Sequence, residues 1–372
     1  MNSIINKIQR IKDSGKKVIG CFPLYPPLEL FHSMDIIPVV LWGIDDVLAG
    51  VSESDKHLQN YVCSVARHLT EFVLTDGGRL LDGLFMYNAC DTLRNLPEIL
   101  ECGLGEKDIN VPLFNIHIPA MYTGQTNSSK YLQDEITGLV SKLEQEYGVA
   151  YSEKRFRESA DLYREMRSLS LELDALVSSG MIGFSDFSRI IHEGYVEPVE
   201  VQIESLKSWI KNCGRSPAGK KIPEDEHRVV VSGILPPPPS VCDIIEKSGF
   251  IVAGNDIASL YRSYCNHPEI TGDAGKFYID FYQNHFPCTT LLSTSDRRAE
   301  AIMNLIRERN ARGFIFIGEK FCEYEYFEIP FIDKMLRNEG INTLLLEFSI
   351  DDNENIEGFG TRIESFAEVM SG

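Results

Sequence analysis

"LDGLFMYNACDTLRNL", residues 81–96, decides how this chain is read. Its first half, through Tyr87, is a short apolar run of strand length. Its second half, from Asp91 onward, has the spacing of an amphipathic helix. Cys90 stands at the handover. In open parallel sheets ligands collect beyond the carboxyl ends of the strands, so a thiol at that point is a candidate functional group.

The same alternation extends outward. "KVIG" (17–20), "IIPVVLW" (36–42) and "VPLFNIHI" (111–118) join "LDGLFMY" (81–87) as four buried strands with helical patterns between them. That order implies βαβ units and a parallel sheet. The C-terminal end repeats it with "HRVVVSGIL" (227–235), "GFIVAG" (249–254), "RGFIFIG" (312–318) and "INTLLLEF" (341–348). The loops after the first strands, "GCFPLYPP" (20–27) and "SGILPPPP" (232–239), correspond in position. From about Ser128 to Cys213 the pattern is helical and highly charged, without strand signals. The expectation is an α/β fold of two related lobes, residues 1–127 and 226–372. Each carries a roughly four-stranded, Rossmann- or flavodoxin-like parallel sheet, and a helical module (128–225) lies between them.

Composition narrows the function classes. A chain of 372 residues suggests two or three domains. Apolar residues at 43% and charged residues at 24% suit a globular protein. A net charge of −19 argues against nucleic acid as a partner. It does not exclude a small anionic ligand, which helix N-termini can bind. No run approaches the roughly 18 apolar residues of a membrane span. "MNSIINKIQRIKDSGKK" has no signal-peptide core, so a cytoplasmic location is expected.

Nine cysteines, an odd number in a chain of this kind, argue against a disulfide framework. No CxxC pair is present, so metal-binding cysteines would have to converge from distant segments. Cys90 lies past the third strand of lobe one, and Cys322, in "FIFIGEKFCEYEYFEIPFI", lies past the third strand of lobe two. Cys63, in "YVCSVARH", precedes a helical pattern and reaches the same edge. Three thiolates from three segments suggest an iron–sulfur cluster with one iron left open. The same positions also suit small buried apolar residues.

These segments carry a resemblance. "GKKVIGCFPLYPPLELFHSMDIIPVVLWG" (15–43), "CSVARH" (63–68), "NACDTLRNL" (88–96), "KFCEYEYFEIPFI" (320–332) and "TRIESFAEVMSG" (361–372) resemble the 2-hydroxyacyl-CoA dehydratase / benzoyl-CoA reductase family, most closely its smaller (β-type) dehydratase subunit. The resemblance implies a [4Fe–4S] cluster on Cys63, Cys90 and Cys322. It implies a heterodimer with a larger, homologous α-type subunit, and an ATP-hydrolysing iron–sulfur activator that injects one low-potential electron. The implied reaction takes an (R)-2-hydroxyacyl-CoA through a ketyl radical to the 2-enoyl-CoA.

Other residues are weighed against plainer roles. Cys21 and Cys288 are either extra ligands, as in relatives with a double-cubane cluster, or packing cysteines. His68, His117 and Glu53 are possible general bases, with a hydrogen-bonded or solvated side chain as the simpler reading. Asp91 is expected to cap the next helix. Arg67 and Arg94 either face the cluster or are solvated. "ILPPPPS" (234–240) reads as a rigid turn rather than a docking motif, and "SIDDNENIEGFG" (349–360) as a solvated loop. Three rival functions remain at this level: a benzoyl-CoA reductase subunit, a non-catalytic electron-relay subunit, and a two-lobed binding protein without metal.

Overall fold

A computed structural model describes residues 4–44, 50–120, 126–213, 227–350 and 356–371. Lobe one runs α1 (Ile4–Asp13), β1 (Lys17–Cys21), α2 (Leu28–Ser33), β2 (Ile36–Val40), α3 (Ser64–Leu74), α4 (Asp76–Leu80), β3 (Gly83–Tyr87), α5 (Asp91–Glu106) and β4 (Leu113–Ile116). Four helices follow: α6 (Thr126–Tyr147), α7 (Glu153–Ser178), α8 (Phe184–Gly194) and α9 (Val199–Cys213). Lobe two runs β5 (His227–Gly233), α10 (Pro239–Lys247), β6 (Phe250–Ile257), α11 (Tyr261–Tyr264), α12 (Ala274–Gln283), α13 (Ser295–Glu308), β7 (Gly313–Glu319), α14 (Glu323–Asn338), β8 (Asn342–Phe348) and α15 (Ile356–Ser371).

All eight strands fall where the apolar runs placed them, and the physical reason is burial. Every residue of β2, β3 and β7 is buried. A parallel strand covered by helices on both faces has no polar side, so it reads as a continuous apolar run. Both sheets are wholly parallel and share one order: β2-β1-β3-β4 in lobe one and β6-β5-β7-β8 in lobe two. In each the chain reverses direction between the first and third strands, which is where such sheets open a crevice.

β6 outruns its apolar stretch. It continues through Asn255 and Asp256, whose side chains are buried but bonded. Asn255 Nδ2 donates to Asp174 Oδ1 at 2.9 Å, and Asp256 accepts from Arg298 at 3.0 Å. Paired polar groups are tolerated in a buried strand, so hydropathy alone ends it too early. At the other end of lobe two, "SIDDNENIEGFG" is not all loop. Residues 351–355 lie outside the described residues, but α15 begins at Ile356 and buries Phe359, Ile363 and Phe366 along one face.

The middle helices pack on both lobes. α6 lies against β4 and α12, while α7 touches α2, β6 and α11. A buried ion pair between Arg167 of α7 and Glu29 of α2 fixes that bridge, with Tyr278 donating to Glu29 Oε2 at 2.9 Å.

The strand ends of the two sheets face each other and are bonded together. The Tyr25 hydroxyl donates to the Ala258 carbonyl at 3.1 Å, and Tyr282 donates back to the Tyr25 carbonyl at 2.8 Å. Trp42 Nε1 reaches the Ile234 carbonyl at 3.1 Å. Gly43, with φ +71, sits so close to Leu235 that a Cβ there would meet it at 2.5 Å. The four prolines after β5 form the expected stiff turn, with Pro239 opening α10.

Candidate metal centre

Each of the three cysteines selected from the sequence occupies the N-cap position of a helix. Cys63 caps α3, Cys90 caps α5 and Cys322 caps α14. At an N-cap the backbone is not yet helical, and the side chain faces the leading amides of the first turn. Three helix N-termini, each with a partial positive charge, therefore carry the three thiols. Asp91, expected as a cap, is instead the first residue of α5. It is exposed and pairs with Arg94 at 3.5 Å, because Cys90 already holds the capping position.

Burial raises all three thiols. Burial pushes the Cys63 thiol up to about 12, with Glu319 and Cys90 adding to the rise. Burial also raises Cys90, helped by Asp91 and Glu323. Cys322 is driven well above the usual range by burial, then by Glu325, Cys63 and Cys90. Leading amides oppose these shifts: those of Ala66 and Val65 at Cys63, Leu93 and Thr92 at Cys90, and Glu325 at Cys322. No thiol accepts a geometrically formed capping hydrogen bond. The protein alone thus favours three neutral thiols, and a bound metal would have to supply the charge that ionises them.

Among the described residues, no three His, Cys, Asp or Glu side chains close around one metal ion. A cubane makes a different demand. Each iron takes its own thiolate, so ligands stand around the cube rather than about one centre. Soft thiolate donors suit iron–sulfur chemistry, and all three thiols are partly exposed rather than sealed in the core.

The remaining candidates take structural roles. His68 is buried with Nδ1 2.8 Å from the Ile44 carbonyl oxygen. His117 Nε2 lies 2.9 Å from Asn88 Nδ2. Glu53, held down to about 2 by Lys56 and Lys107, is a weak base. Arg67 pairs with Asp55, and Arg94 is largely exposed beside Asp91. Cys21 is buried within the core of lobe one. Cys102 is exposed, and Cys213 ends α9.

Cys288 is more than packing. Its sulfur accepts from Arg262 Nη1 at 3.0 Å and from the Tyr25 hydroxyl at 3.3 Å, with Thr290 Oγ1 at 3.2 Å. Arg262 Nε stands 3.0 Å from Asp256 Oδ1 as an ion pair, although off the line of a hydrogen bond. Arg298 joins Asp256 to Glu328 of α14 at 2.7 Å. Near these arginines, burial raises Glu325 to about 7, and its Oε1 has no hydrogen-bond partner among the described residues. Sequence reasoning missed this buried ionic floor.

His285, beside the same knot, gives a pH prediction. Its ring lies 4.2 Å from Tyr25, its Nε2 has no hydrogen-bond partner among the described residues, and burial drives it down to about 4. The unfolded imidazole takes up a proton near pH 6.5, the folded one only near 4. Stability is therefore whole above about pH 6.5 and falls as pH drops, by about 2 kcal/mol at pH 5. Urea unfolding at the two pH values should show His285→Phe losing less than the parent by about that amount. Equal losses would contradict it.

Together these features define a two-lobed α/β protein with Cys63, Cys90 and Cys322 each at a helix N-cap. The chain belongs to the family described as 2-hydroxyglutaryl-CoA dehydratase, D-component, whose model matches residues 23–370. It is 24% identical to the (R)-phenyllactyl-CoA dehydratase beta subunit of Clostridium sporogenes, over 98% of this chain and 94% of the relative. It is 25% identical to the beta subunit of (R)-2-hydroxyglutaryl-CoA dehydratase of Acidaminococcus fermentans, over 98% and 95%. It is also 25% identical to a benzoyl-CoA reductase subunit of Thauera aromatica, over 86% and 82%. No helix among the described residues is long and apolar enough to cross a membrane.

Proposed function

We propose that this chain is the β-type iron–sulfur subunit of an oxygen-sensitive (R)-2-hydroxyacyl-CoA dehydratase of the cytoplasm. Its partners are a larger α-type subunit and a separate ATP-hydrolysing activator, and the product is a 2-enoyl-CoA. One observation carries the reading: in a chain of this family, Cys63, Cys90 and Cys322 each occupy the N-cap of a separate helix. When bound there, one [4Fe–4S] cluster supplies a low-potential electron and an iron without a protein ligand.

The chain's own residues have definable tasks. The three thiolates hold the iron. The first-turn amides of α3, α5 and α14 offset the negative charge that ligation creates. Partial burial of the site limits the water around it, one of the protein's levers on potential. The dehydration itself needs an electron because the β-proton of a 2-hydroxyacyl-CoA is not acidic. An electron added to the thioester carbonyl gives a ketyl radical anion that expels hydroxide. The enoxy radical left behind loses the now acidic β-proton, and the resulting ketyl gives the electron back to leave the 2-enoyl-CoA.

Exposed aromatic side chains support the partner. Tyr61 (65% exposed) precedes Cys63 by two residues, Phe321 (51%) adjoins Cys322, and Phe327 (75%) and Phe331 (48%) lie one turn apart on α14. Aromatic residues left in water beside a redox site suit a contact with another protein chain.

The similarity to the benzoyl-CoA reductase subunit favours a second reading, a reductase-type protein. Anaerobic co-purification with the neighbouring subunit, followed by parallel assays on a 2-hydroxyacyl-CoA and on benzoyl-CoA, separates the two. Water elimination from the first supports the dehydratase. Ring reduction of the second without dehydration would replace it.

A further inference from the structure

The thiol site is assembled from both lobes. Cys63 and Cys90 come from lobe one and Cys322 from lobe two, so something must hold Cys63 against Cys322. Glu319, the last residue of β7, does so at 2% exposure. The hydroxyl of Ser64, the residue after Cys63, donates to Glu319 Oε1. Ser349, just past β8, donates in turn to the Ser64 hydroxyl oxygen at 3.2 Å. On the other side, the Cys322 N–H donates to the Glu319 carbonyl at 3.0 Å, and the Glu319 N–H points to Glu325 Oε2 at 3.4 Å. One residue therefore touches both the start of α3 and the turn that carries Cys322.

We propose that Glu319 is a positioning residue of the thiol site and that its buried carboxylate also lowers the redox potential there, an inference that rests on the iron–sulfur reading above. Adding an electron beside a fixed negative charge is unfavourable, and weakly screened where water is excluded. Hydrogen bonds and charges next to ligands are among the protein's levers on cluster potential.

The test uses the full chain, reconstituted anaerobically with iron and sulfide. Iron and sulfide per chain are measured, and the midpoint potential is followed by visible and EPR spectroscopy. Glu319→Gln keeps an acceptor oxygen for Ser64 and removes the charge. It should retain its iron and show a more positive midpoint. Ser64→Ala breaks the bridge and leaves the carboxylate, so its iron content should fall. Glu347→Gln, on the exposed side of β8, should change neither.

A Glu319→Gln chain with full iron and an unmoved midpoint overturns the tuning role. Loss of iron from that variant overturns the claim that the acceptor oxygen suffices. Ser64→Ala with full iron overturns the positioning role. An unsubstituted chain that takes up no iron contradicts the iron–sulfur reading itself, and the proposal with it.

Discussion

Cys90→Ser is expected to strip this protein of most of its iron. The substituted side chain would still cap α5, because serine is a good N-cap residue, so the fold should survive. What changes is the donor. A neutral hydroxyl is a poor ligand for iron, and two thiolates hold a cubane weakly. Cys63→Ser and Cys322→Ser should behave alike, since each occupies an equivalent cap. Cys102→Ser and Cys213→Ser should keep full iron, because neither cysteine stands at a helix N-cap: Cys102 lies inside α5 and Cys213 ends α9. Iron, acid-labile sulfide and visible absorption report the outcome. A Cys90→Ser chain with the parent's iron and spectrum would show that the ligand set is wrong.

The second large effect is on turnover. The reconstituted chain, mixed alone with an (R)-2-hydroxyacyl-CoA, should form no 2-enoyl-CoA. The sequence contains no GxxxxGK(S/T) pattern to couple ATP hydrolysis to electron transfer, so a low-potential electron has to be delivered by another protein. Activity should appear only when the α-type subunit, the activator, ATP and a reductant are all present without oxygen. Brief exposure to air should abolish it, because an iron without a cysteine ligand is the one most readily lost. Sustained product formation by the single chain would end the heterodimer-plus-activator account.

The strands were legible because parallel strands under helices have no polar face to interrupt the apolar run. Where a buried strand does contain polar residues, as at Asn255 and Asp256 of β6, the run ended early. Their partners Asp174 and Arg298 lie far away in sequence, so that pairing was invisible. The same limit applied at the site. Cys90 and Cys322 stood out because strand-to-helix handovers can be read locally, and Cys63 because a helical pattern follows it. That all three would be N-caps was within reach of the sequence, since each directly precedes a helix. The exact cap was misassigned only at Asp91. Glu319, Glu325 and the Arg262–Cys288–Tyr25 knot were not legible. A buried charge is tolerable only beside its partner, and those partners meet through tertiary structure alone. Cys288 looked like either a ligand or filler, whereas it is a hydrogen-bonding node between the lobes.

The most direct test of the central claim is metal analysis of the chain purified without oxygen. One cluster on Cys63, Cys90 and Cys322 predicts about four iron and about four sulfide per chain, and a brown protein that bleaches in air. A colourless, folded preparation without iron, which does not take it up on anaerobic reconstitution, would contradict the claim and leave a metal-free two-lobed binding protein in its place.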